Sequence, residues 1–196
     1  MFRSLNVRNL CTKNSGSVTV EFAFALLFLL VFMFFMVDLV VKQALVGKLD
    51  RVSYSVAGVL RERTQLYHSR ELLNQNDVQE ALELSRRMLK DMNSSADLSQ
   101  MGIQVEELHF VQPYDLKYDT MTIKYNHSFS AGNVAGCAPP QTLASLKGLS
   151  PKGSYGRWVP LYQVTVCLPA ADFFSRFINT GSASSVMSSF AVVMVR

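Results

Sequence analysis

The sequence predicts an α+β fold, a long N-terminal transmembrane and amphipathic helix packed on an antiparallel β-sheet, and three patterns carry that prediction. From Val18 to Val41 charge interrupts the residues only at Glu21 and Asp38. From Leu45 the apolar residues recur three or four apart, as one buried helical stripe requires. After Gly102 the period shortens to two, clearest where Met121, Ile123, Tyr125, His127 and Phe129 alternate with Thr120, Thr122, Lys124, Asn126 and Ser128.

The 196 residues are 49% hydrophobic and 17% charged, enough apolar surface for one folded domain and too much for a disordered chain. Phe22 to Val37 carries no charge. A run of roughly 20 apolar residues crosses a hydrocarbon layer of about 30 Å, whereas a removable signal has an apolar core of about 7 to 15. Three parts follow: a basic leader over 1–16, a transmembrane helix over 17–42 and an extracytoplasmic α+β domain over 43–196. Arg3, Arg8 and Lys13 are the only charges of the leader. Without them the net charge of +4 falls to about +1, which removes the case for a nucleic-acid partner. The same cations place the N-terminus in the cytoplasm and the domain on the far side of the membrane.

The helix is expected from Val18 to about Leu66, since no proline interrupts it and only Gly47 and Gly58 weaken it. Leu45, Leu49, Val52, Val56 and Val59 mark its domain-facing stripe, which fades at Arg63. Asn76 and Gln79 read as a cap and its reciprocal partner, opening a second helix with Val78, Ala81, Leu82, Ser85, Leu89 and Met92 on one face until Asn93-Ser94-Ser95. Arg61, Arg63, Arg70, Arg86, Arg87 and Lys90 alternate with acids and read as solvated faces.

Strands are expected over Ile103–Val111, about Thr120–Phe129, Tyr162–Leu168 and Phe190–Val195, with Pro113-Tyr114-Asp115 opening the first connection. Ser130 to Pro160, rich in Gly, Pro and Ser, reads as a long loop. It contains Cys137. In an oxidising compartment Cys137 and Cys167 can bridge, while Cys11 stays with the leader.

The junction Lys13-Asn14-Ser15-Gly16-Ser17-Val18-Thr19-Val20-Glu21-Phe22 holds the chemistry of interest. A carboxylate in an apolar span is costly unless compensated. Cleavage after Gly16 creates an α-amino group able to pair with Glu21 one turn away or on a neighbouring helix, and the second case sets axial register between subunits. These residues resemble the type IV prepilin signature: a basic leader ending in Gly16, a small Ser17, Glu21 as the fifth mature residue, then Phe22 and a long apolar helix. Val20-Glu21-Phe22-Ala23 and Gln43-Ala44-Leu45 look like the TadE and TadF pseudopilins of tight adherence (Tad, Flp) pilus systems, the TadF side above all. Proline, which kinks many type IV pilin helices, is missing from the span.

The resemblance implies a minor pseudopilin of the inner membrane, cut by a prepilin peptidase. Its implied partners are other Tad pseudopilins, the pilin, the inner-membrane assembly platform and membrane lipid. Its implied task is assembly of a type IV pilus for adhesion and biofilm formation, with incorporation into the pilus open. Two alternatives stand beside it: an uncut membrane-anchored binding module using the Ser130–Pro160 loop, and a minor pseudopilin of type II secretion.

No nucleophile motif or phosphate loop is present, so neither an enzyme nor a cofactor is expected. His68, His109 and His127 lack metal-ligand spacing, and His127 reads as a core histidine on a strand's apolar face. Asp115 and Asp119 are too few for a calcium site. Asp38 reads as an interfacial charge reaching water.

Overall fold

The computed structural model describes residues 15–66, 72–92, 98–112, 120–153, 156–169 and 186–195. His68, Arg70, the Asn93-Ser94-Ser95 stop, the Pro113-Tyr114-Asp115 turn, Asp119 and the leader up to Asn14, with Cys11, lie outside them. Two helices come first, α1 over Ser15–Leu66 and α2 over Gln75–Met92. Four strands follow among the described residues: β1 over Gly102–Phe110, β2 over Ile123–Gly132, β3 over Leu161–Pro169 and β4 over Val186–Met194. The chain divides into two compact units, Met1–Lys42 and Gln43–Arg196.

In the second unit the strands form one antiparallel sheet in the order β2-β1-β3-β4, so β1 and β3 are central. Pairing of β1 with β2 places Val105 opposite Phe129, and a bulge between His109 and Phe110 shifts the register at the far end. One core joins helices to sheet: Leu49, Val52, Val56, Leu60, Val78, Leu82 and Leu89 meet Ile103, Val105, Tyr162, Val164 and Val166. Because side chains alternate across a strand, Leu108 and Leu161 turn to the other face, where with Phe110 they cluster against Leu143. Leu143 opens a short 3-10 helix, Leu143–Leu149, inside the segment expected to be a structureless loop. Backbone and side-chain hydrogen bonds to the sheet hold that segment: Leu143 N–H donates to Glu106 at 2.7 Å and Gln163 Nε2 donates to the Gln141 carbonyl at 3.1 Å.

The stripe on α1 runs through Leu49, Val52, Val56 and Leu60, all buried. Val59, expected in it, is 45% exposed and Leu60 only 4%. Helical geometry explains the shift, since four residues after Val56 return to the same face. Asn74, not Asn76, caps α2. Its Oδ1 accepts from Asp77 N–H at 2.9 Å while Asp77 Oδ2 accepts from Asn74 N–H at 2.9 Å, the reciprocal capping pair displaced by two residues. Asp77 wins over Gln79 because it also pairs with Arg63.

Two glycines set how β2 ends. A Cβ on Gly102 would lie 2.0 Å from the Asn133 carbonyl oxygen, and one on Gly132, whose φ is +78°, would lie 2.3 Å from the Met101 carbonyl oxygen.

Candidate assembly segment and domain clamp

The expected processing bond, Gly16–Ser17, falls in the first turn of α1, and Glu21 in its second. Glu21 and Phe22 are exposed, as is every described side chain from Val18 to Val41 except Asp38. The large apolar ones among them are 39 to 76% exposed. This stretch is apolar all round and long enough to cross a membrane. Asp38 departs from expectation. It is buried rather than reaching water, with Oδ2 accepting from Lys42 Nζ at 3.0 Å, one helical turn on.

In the domain, a buried polar network ties the helix connection to the sheet. Arg63, expected on a solvated face, is buried; one guanidinium nitrogen pairs with Asp77 and Nη2 donates to the Leu72 carbonyl at 2.7 Å. The next residue, Leu73, donates its N–H to Glu107 Oε2 at 2.9 Å, and Glu107 Oε1 accepts from His127 Nδ1 at 2.9 Å. Glu107 is fully buried on β1, with His109 Nε2 3.9 Å away. Burial pushes its carboxyl pKa up, but the neighbouring His109, the Leu73 N–H and His127 outweigh that and leave it below the ordinary carboxylate value.

His127 therefore is not a core histidine. It stands exposed on the edge strand, stacked on Tyr125 with ring centroids 5.8 Å apart, and only its Nδ1 side reaches inward. Neither Arg63–Asp77 nor Glu107–His127 was found from the sequence. The available signal was Glu107 itself, a carboxylate at the next alternate position after Ile103 and Val105. Among the described residues no group of three or more His, Cys, Asp or Glu side chains is placed to hold a metal ion.

On the opposite face, Cys137 and Cys167 come to disulfide distance, their sulfurs 1.99 Å and their Cα atoms 5.6 Å apart. Cys167 lies opposite Gly102 in the central pair of strands. The approach thus brings the segment after β2 to the middle of the sheet.

The arrangement offers an apolar helical surface and a clamped domain, which suits binding to other chains more than chemistry. A family model matches residues 9–196, nearly the whole chain, under the description "Putative tight adherence pilin protein F". The chain belongs to the TadF family. As a TadF-family chain it is a component of a Tad pilus, a structural protein of a pilin family whose work is interaction with other pilus components. The resemblance first carried by Gly16, Glu21, Phe22 and Gln43-Ala44-Leu45 thus extends over the domain. Its apolar N-terminal helix is compatible with a membrane anchor. No curated protein and no solved structure matches the chain.

Proposed function

We propose that this TadF-family chain is a minor pseudopilin, cut after Gly16 by a prepilin peptidase, that helps assemble a Tad pilus used for adhesion and biofilm formation. The observation that carries the reading is α1. One helix presents apolar side chains on all sides from Val18 to Val41, bears a carboxylate at Glu21 five residues after Gly16, and supplies Leu49, Val52 and Val56 to the domain core. The apolar part spans the inner membrane with the leader in the cytoplasm and the domain in the periplasm. There it meets other Tad pseudopilins, the pilin and the assembly platform.

Cleavage gives Ser17 a free α-amino group. Docking beside another such helix compensates each Glu21 only when an amine arrives at its height, so the carboxylate selects one axial register. In the oxidising periplasm Cys137 and Cys167 are bridged, which closes the intervening segment onto β3.

Two experiments test this. N-terminal sequencing of the native protein should begin at Ser17; an intact Met1 in cells with an active prepilin peptidase rejects the cut. Glu21→Gln should leave the chain in the membrane but abolish its co-purification with pilin partners. Unchanged co-purification rejects the register mechanism.

A further inference from the structure

From Thr120 to Ala171 the chain contains no Asp or Glu, and its cations there are Lys124, Lys147, Lys152 and Arg157. Three of the four fall in one short segment beside the 3-10 helix. Four backbone contacts brace it: Ser150 N–H to the Lys147 carbonyl at 3.1 Å, Val159 N–H to Pro151 at 3.2 Å, Gly153 N–H to Arg157 at 2.8 Å and Gly156 N–H to Gly153 at 2.9 Å. Lys152 and Trp158 form a β-bridge, and the buried Ser150 hydroxyl donates to the Val159 carbonyl at 2.6 Å. Lys147, Leu149, Lys152 and Arg157 are exposed on this braced hairpin, Leu149 at 57%. Trp158 is half-buried, one side against the Leu108–Leu143 cluster and its ring face under Lys152 Nζ at 5.0 Å. Glu106, a carboxylate on this sheet face, is buried and accepts from Leu143 N–H and from Gln104.

Cations around an exposed leucine and an amphipathic indole are the chemistry that recognises the phosphate and acyl boundary of an anionic bilayer. An acidic protein surface would use the charges but would leave Leu149 uncovered. We propose that Lys147, Leu149, Lys152, Arg157 and Trp158 form a docking surface for anionic phospholipid, which holds the domain on the bilayer until the chain is drawn into an assembly. This rests on the reading of α1 as a membrane anchor. Each Lys or Arg near an anionic surface contributes about five-fold to the docked population, so two contribute about 25-fold.

Trp158 is the only tryptophan of the chain and reports on the site directly. The full chain is reconstituted in nanodiscs of phosphatidylcholine alone or with phosphatidylglycerol, and Trp158 is quenched by acrylamide from solution and by a headgroup spin label from the lipid. Docking gives acrylamide protection and spin-label quenching only with phosphatidylglycerol, reversed at about 1 M salt where the Debye length is about 3 Å. The variant Lys147→Gln/Arg157→Gln, which leaves Lys152 over the ring, should lose both signals while Lys48→Gln keeps them. A chain seated in the disc with Trp158 quenched alike in both lipids, or unaffected by the double variant, overturns the docking alone. A chain recovered free of disc lipid overturns the anchor and the docking together. Protection that follows protein concentration rather than lipid assigns the surface to a second copy and overturns the lipid assignment.

Discussion

The two halves of α1 share one backbone conformation and differ only in what their side chains are arranged to meet. From Val18 to Val41 apolar residues surround the helix, and the described side chains are exposed apart from Asp38. From Leu49 to Arg63 most apolar residues keep to one side and that side is buried, with Tyr54 and Val59 left exposed. The difference teaches that hydrophobicity alone does not place a helix; its distribution around the axis does. An apolar ring needs an apolar solvent, whereas an apolar stripe needs only a facing sheet.

The sharpest break in that contrast is predicted at the charged end of the stripe. Asp77→Ala takes the carboxylate from the buried Arg63 guanidinium and removes one half of the reciprocal capping pair of α2, and should destabilise the domain by about 3 to 5 kcal/mol in denaturant titrations followed by Trp158 fluorescence. Next comes Leu60→Ala, expected to cost about 2 to 5 kcal/mol of domain stability, against a change within about 0.5 kcal/mol for Val59→Ala or Leu27→Ala. Equal losses for Leu60 and Val59 would mean that the stripe does not run where the structure places it.

The smallest effect concerns pH. Glu107 has a folded pKa below its unfolded value, so its contribution to stability is complete above the ordinary carboxylate range and disappears as pH falls through the folded value. Acid titration of unfolding should show this slope, and Glu107→Gln should flatten it. An unchanged slope in the variant would assign acid sensitivity to other carboxylates.

The helices and strands were legible because their periods are local properties of the chain. Leu49, Val52 and Val56 announce a helical face, and β2 begins and ends within three residues of the alternation that predicts it. The Asn74 cap was obscured because Asn74-Gln75-Asn76-Asp77-Val78-Gln79 offers two overlapping capping pairs, Asn74 with Asp77 and Asn76 with Gln79, and only the tertiary contact of Asp77 with Arg63 chooses between them. Arg63 itself looks like any surface cation until α2 folds back on it. His127 was misplaced for a related reason: alternation tells which face a residue occupies but not that β2 lies at the edge of the sheet. Within the candidate site, Gly16, Glu21 and Phe22 could be read by spacing, whereas the Glu107 network spans contacts 20 and 34 residues apart along the chain.

Gly102 and Gly132 also restrict how this sheet can vary. At both sites the room for a first side-chain carbon is already taken by a neighbour's backbone oxygen, so even alanine demands that main chain move. A substitution on the exposed face of the segment beyond β2 therefore leaves the main chain in place, whereas one at either glycine changes the direction in which that segment leaves the sheet. The exit is held by main-chain packing at those two glycines, and the side chains that follow it are not.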